Sequence, residues 1–140
     1  MYHVTDEVIR PVIAFRSFRE QRGGRTAGYS WAELVAEGPQ KPQLMVSHWW
    51  GGRFVDFMYA IDKIVDRRAL GIGTTLWICT FANNQFGEDF GASMRDTPFI
   101  QAIQQADATI LMVDRDAGSL KRSWCCLELH YTILQEKSLE

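Results

Sequence analysis

The chain has little cysteine, little net charge and no long apolar run. Cys79, Cys125 and Cys126 are the only three cysteines among 140 residues, and no two are spaced Cys-x-x-Cys. A zinc ribbon is therefore not expected, and so small and odd a set points to free thiols in a reducing compartment, not to a disulfide framework. No apolar stretch approaches the ~20 residues that a membrane-spanning helix needs. Residues 1–6 hold neither a basic n-region nor an apolar h-region, so a signal peptide is not expected and a cytoplasmic location is. Fifteen Lys and Arg against 17 Asp and Glu leave a formal charge of −2, and no basic run is longer than a pair. That balance argues against a nucleic-acid partner, and the apolar runs against a membrane partner. There is no internal repeat, glycine period or low-complexity tract, which excludes fibrous and disordered classes.

What is present is enough for a core. The chain is 46% hydrophobic and 12% aromatic, which suits one domain. Five tryptophans are many for this length, and Trp49 and Trp50 are adjacent.

Two periodicities alternate along the chain. Thr5 is a candidate N-cap for a helix through Ile9, with Pro11 in its first turns or at a kink. Residues 16–28 are polar and glycine-bearing, and read as a loop. Ser30 and Glu33 have capping-box spacing, predicting a short helix through Val35 that Gly38 and Pro39 stop. Residues 43–47 read as a strand. Phe54, Phe57, Met58, Ile61, Ile64 and Val65 recur at helical spacing, and Gly71 and Gly73 are expected to end that helix. Residues 74–81 read as a second strand and 83–95 as a long loop. Thr97 and Pro98 open a helix with an apolar face of Phe99, Ile100, Ile103 and Ala106. Residues 109–113 read as a third strand. The last helix, from 119 or 123 to 135, is expected to turn Trp124, Leu127, Tyr131 and Leu134 to one face.

Strands separated by helices of this length imply crossover connections and a parallel sheet covered on both faces. The expected fold is α/β: a flavodoxin-like three-layer fold with a mostly parallel sheet. Three strands are legible where such sheets usually have five, and none is expected after the last helix. We therefore expect an N-terminal helical extension over 1–40 and an incomplete α/β domain over 41–140.

In such sheets, ligands bind beyond the carboxyl ends of the strands. That rule selects Ser47, His48, Trp49, Trp50, Gly51 and Gly52 after the first strand. It selects Asn83, Asn84 and Gln85 after the second, and Asp114, Arg115 and Asp116 after the third. Aromatic faces beside hydrogen-bonding groups suit a nucleotide base or a nicotinamide ring. The alternative for Trp49 and Trp50 is space-filling between loop and sheet. His48 is placed to act as a general acid or base, or to orient a loop by hydrogen bonding. His3 and His130 read as surface residues, and Cys125 and Cys126 as packing residues. Gly51-Gly52 and Gly71-x-Gly73 do not form a dinucleotide fingerprint, no Walker sequence is present, and no residue set suits a metal.

The segment Ser123-Trp124-Cys125-Cys126-Leu127-Glu128-Leu129 resembles the S-x-W-C-x-x-E-L helix of Toll/interleukin-1 receptor (TIR) domains, shorter by one residue at its start. Residues 99–106 and the strand after them are similar to that family's I-x-x-A-I-x-x-S helix and I-V-V-L-S strand. Ser47 matches the serine that ends the family's first strand, and Phe57 an aromatic of the following helix. The resemblance covers about 44–131. It departs at Trp49 and Gly52, where the family often has arginine or aspartate, and at Asn83 and Asn84, where it has an acidic pair. The family's fourth and fifth strands have no counterpart.

The resemblance implies cleavage of NAD, as substrate and not as cofactor, at the nicotinamide–ribosyl bond. The activity would be that of an NAD glycohydrolase or cyclase in signalling or defence. Glu128 takes the catalytic position; Ser47, His48, Trp49, Asn83 and Trp124 are the expected substrate-binding residues. It also implies self-association through TIR-like surfaces. The chemistry is sound, because departure of nicotinamide leaves a ribosyl oxocarbenium ion that a nearby carboxylate stabilises. Trp124 and Glu128, four apart, share a helix face. The alternative for Glu128 is a solvated glutamate paired with Lys121 or Arg122. Two other functions compete. One is a non-catalytic TIR-like interaction module. The other is a nucleoside deoxyribosyltransferase-like enzyme, which needs a second acid near Glu128, for which Asp114 and Asp116 are the candidates. Geometry separates them: Glu128 either opens into a cleft with Ser47, His48 and Trp49 or faces bulk solvent.

Overall fold

The computed structural model describes residues 1–20, 28–87 and 93–140. The first helix, α1, covers 2–20 in three consecutive segments: Tyr2–Val4, a wider π-type turn over Thr5–Ile9, and Arg10–Glu20. Pro11 explains the widening. It has no N–H, and its ring crowds the carbonyl four residues back. The ladder relaxes just upstream, where Arg10 N–H reaches the Thr5 carbonyl. Thr5 is not the N-cap; it is buried inside the helix, its hydroxyl donating to the Met1 carbonyl at 3.4 Å. Thr5, Ile9 and Ile13, spaced by four, form the buried stripe. Residues 16–20 continue the helix and are not loop. The rest of that expected loop, 21–27, lies outside the described residues.

The short helix α2, Trp31–Val35, starts as its sequence requires. Ser30 Oγ accepts from Glu33 N–H at 3.1 Å, and Glu33 Oε2 accepts from Ser30 N–H at 2.7 Å. Strand β1, Leu44–Ser47, is buried along its whole length. Helix α3, Phe54–Arg68, stops earlier than the two glycines predict. Ala69 takes the left-handed cap conformation at φ 49°, and its N–H closes on the Val65 and Asp66 carbonyls.

Strand β2 is only Leu76–Ile78, because its last partner on β1 is Val46. The chain then turns into a single helical turn, α4, Cys79–Ala82. The Gln85 amide stands within 3.2 Å of the Cys79, Thr80 and Asn83 carbonyls and holds that turn. Residues 88–92 of the expected loop lie outside the described residues, and Met94–Asp96 form a 3-10 turn. Helix α5, Pro98–Gln105, has Thr97 as its cap and proline at its first position. Strand β3 is Ala108–Leu111, and a 3-10 turn over Gly118–Lys121 leads into α6, Ser123–Leu134. A fourth strand follows after all. Ser138–Leu139, β4, pairs in parallel with Ala108 and Thr109. Two exposed residues without a β-branched run carry no periodic signal.

Among the described residues the four strands are all parallel, in the order β2-β1-β3-β4. This is the flavodoxin-like arrangement, and the α/β fold class stands. Successive residues of β1 face opposite ways, as a strand requires. Met45 packs with Ile100, Ala102 and Ile103 of α5, joined by Trp77, Phe99 and Tyr131. Val46 packs with Met1 and Phe57, joined by Trp50, Phe54, Ile61 and Ile78. Among the described residues no helix is long and apolar enough to cross a membrane.

Candidate functional site

Helix α6 is not amphipathic in the way its apolar residues predict. Cys125, Glu128 and Thr132 form its buried face, while Trp124 and Leu134 are exposed. The reason is what lies beneath: the face crosses Ser47 at the carboxyl end of β1 and Thr109 inside β3. Thr132 Oγ1 lies 2.8 Å from Thr109 Oγ1 and 2.8 Å from the Glu128 carbonyl. One turn earlier, Glu128 is only 4% exposed. Its Oε2 accepts from Ser47 Oγ at 2.5 Å. Glu128 is thus neither solvated nor paired with Lys121 or Arg122. Burial pushes its carboxyl up to about 7, with the Ser47 hydrogen bond pulling the other way.

Glu128 opens into a cleft of about 390 Å³, a size that suits a small ligand. His48, Trp49 and Trp50 from the β1 exit line it, with Cys79 from the β2 exit and Phe99 from α5. Trp124 and Cys125 complete the α6 wall. Trp124 stacks on Phe99 at 5.3 Å between ring centres, and Phe99 meets Trp77 edge-on at 5.2 Å. An aromatic wall therefore stands beside the carboxyl. Trp50 has a second duty, its Nε1–H donating to Cys79 Sγ at 2.9 Å.

His48 and Trp49 line this cleft and also a smaller cavity of about 120 Å³ toward β3, so they form the partition between the two. The His48 ring packs on Phe57 at 4.8 Å, with Nδ1 facing the Val46 carbonyl at 3.3 Å. Burial pulls its pKa down to about 4, and the Met1 ammonium adds to that. A neutral imidazole that gives its proton to Val46 leaves Nε2 as an acceptor, and Nε2 is buried without a partner among the described residues. Trp49 is wedged: a Cβ on either Gly51 or Gly118 would run into its indole. These two glycines are there for close approach, not for phosphate binding.

Three sequence-selected positions lie elsewhere. Asn83 does not line the cleft; its carbonyl holds the Gln85 amide. β2 ends at Ile78, so the residue at its exit is Cys79. Asp114 Oδ1 accepts from Gly118 N–H at 2.6 Å and lines the smaller cavity, and Asp116 is exposed and lines neither. Neither supplies a second acid beside Glu128. Sequence reasoning missed Tyr2, Cys79, Phe99, Arg122 and Cys125 as lining residues. Phe99 was legible only as an apolar helix position, and Tyr2 arrives from the far end of the chain.

A larger cavity of about 620 Å³ lies between α2 and β2, but its Glu33 is engaged in the capping box. All three cysteines are free, Cys79 and Cys125 buried and Cys126 exposed. Compared with known proteins, the chain matches no family model, no curated protein and no solved structure.

Proposed function

We propose that the chain is a TIR-like enzyme that cleaves NAD at the nicotinamide–ribosyl bond, as a glycohydrolase or cyclase. The observation that carries this reading is Glu128, a buried carboxyl held by Ser47 at the end of β1 and opening into an aromatic cleft. The nicotinamide ring lies against the Trp124–Phe99 wall, and the adjoining ribose reaches Glu128. The C1′–N bond breaks and its electron pair passes to the pyridinium nitrogen, so nicotinamide leaves neutral. The oxocarbenium ion that remains is stabilised by the Glu128 carboxylate in a water-poor site. Water then adds at C1′ and loses a proton to solvent, giving ADP-ribose; in a cyclase an adenine nitrogen takes the place of that water. One carboxylate suffices because the leaving group needs no protonation.

The test is nicotinamide release from NAD by the full chain at high protein concentration. Glu128→Gln keeps a partner for Ser47 and removes the charge. It is expected to lower the rate by roughly 100-fold or more, the scale of a lost transition-state electrostatic contact. A rate unchanged in Glu128→Gln removes this reading.

The exposed apolar side chains of α3 favour a second reading, an interaction module that self-associates. Val55, Met58 and Tyr59 all face solvent. In that case sedimentation shows concentration-dependent assembly lost in Tyr59→Glu, and Glu128→Gln changes nothing.

A further inference from the structure

We propose that Arg122 reads the 5′-phosphate of the ribosyl substrate and so selects nucleotides over nucleosides. The inference rests on the NAD-cleaving reading and assigns a residue that neither the TIR resemblance nor the sequence placed in the site. Among the described residues that line the Glu128 cleft, Glu128 is the one carboxyl and Arg122 the one permanent cation. His48 does not compete for that role, because its burial keeps it neutral.

Arg122 is fixed at its backbone. Its N–H donates to the Ser119 carbonyl at 3.2 Å, and its own carbonyl accepts from Cys126 N–H at 3.0 Å. Arg122 is exposed and makes no ion pair among the described residues. Its charge is felt at Cys125, inside the cleft. Arg122 is the N-cap of α6 and Glu128 stands six residues further on, about 9 Å along the helix axis. Allowing for the reach of both side chains, that matches a sugar whose anomeric carbon meets the carboxylate while its 5′-phosphate meets the cation. A guanidinium presents two parallel N–H donors to phosphate oxygens, which a neutral side chain cannot do. The carboxyl at one end and the cation at the other fix the direction in which a nucleotide enters.

The experiment compares NAD, nicotinamide mononucleotide and nicotinamide riboside as substrates for the full chain. Arg122→Gln is expected to lower kcat/KM on the two phosphorylated substrates by roughly 10–100-fold, mostly through KM. The riboside rate stays within about twofold by the same reasoning. Lys121→Gln, which removes a neighbouring charge outside the cleft, leaves all three rates unchanged. Equal losses on all three substrates, or no loss on any, overturn the assignment. Titration calorimetry with ADP-ribose separates the inference from the reading beneath it. If the wild type cleaves nothing yet binds ADP-ribose, and Arg122→Gln loses that affinity, phosphate recognition stands and NAD cleavage falls. If the wild type does not bind ADP-ribose, the Arg122 proposal is wrong.

Discussion

Ser47 and Glu128 stand 81 residues apart in sequence, and one hydroxyl–carboxylate hydrogen bond of 2.5 Å ties the end of β1 to the middle of α6. The Ser47 hydroxyl favours the charged carboxyl, and burial disfavours it. Ser47→Ala therefore moves the Glu128 pKa above about 7. Hydrogen bonds to charged groups are worth ~1.5–3 kcal/mol, so nicotinamide release at pH 7 should fall by roughly 10–100-fold. The deficit should shrink as the pH rises, because the missing hydroxyl changes how much carboxylate is present. A pH–rate profile checks this: a loss constant from pH 6 to 9 contradicts it.

Glu128 and His48 tilt the pH dependence of stability in opposite directions. Burial raises Glu128 from 4.5 to about 7, so between those values the folded protein holds the extra proton and stability falls as pH rises. Burial lowers His48 from 6.5 to about 4, so over that window the unfolded chain holds the extra proton and stability rises with pH. Each swing is of order 3 kcal/mol at most. The two offset each other in the wild type. Glu128→Gln leaves only the His48 slope. It should unfold at higher urea than wild type at pH 7.5 and at nearly the same urea at pH 4. Parallel stability curves for the two proteins would falsify the opposed-slope account.

Much of the fold was legible because caps and apolar spacing are local. The capping box at Ser30 and Glu33 and the Thr97–Pro98 start stand where the sequence puts them, and so does the α3 stripe except Met58, which is exposed. What failed was set by tertiary partners. β2 stops at the partner of Val46, one residue before β1 itself ends, and α6 buries a polar face because it crosses Ser47 and Thr109. β4 has two residues and exists through its pairing with β3. The site divides the same way. Ser47, His48, Trp49 and Trp124 follow from the strand-end rule and the helix motif, and all four stand at the cleft or on its carboxyl. Asn83 was misplaced by overrunning β2, and Tyr2 and Arg122 could be placed only once α1 and the 3-10 turn were folded.

The thiols report on the cleft. Burial pushes Cys79 up to about 12 and raises Cys125, whose thiolate the Glu128 charge also opposes. Cys126 is exposed. Iodoacetamide at pH 8 should therefore modify Cys126 first, Cys125 slowly and Cys79 only on unfolding. ADP-ribose in the cleft should slow Cys125 further and leave Cys126 unaffected, which peptide mass mapping resolves. Fast labelling of Cys79 in the native protein would contradict the burial that shapes this wall.

Trp49 tests the partition between the two cavities. Its indole is held from one side by Gly118, where a Cβ would also come within 2.8 Å of Asp114 Oδ2. Gly118→Ala therefore overpacks a contact between a ring and a carboxylate that already accepts from Gly118 N–H at 2.6 Å. Overpacking of this kind typically costs ~1–3 kcal/mol. The cheapest relief is rotation of the indole away from Gly118, toward the larger cleft that it also lines. We expect a lower Tm together with weaker ADP-ribose binding and a shifted tryptophan emission. Asp114→Asn removes the carboxylate charge without moving the indole, so it should lower Tm while leaving emission and binding unchanged. If Gly118→Ala lowers Tm but leaves emission and binding as in wild type, Trp49 is packing material and not a wall of the site.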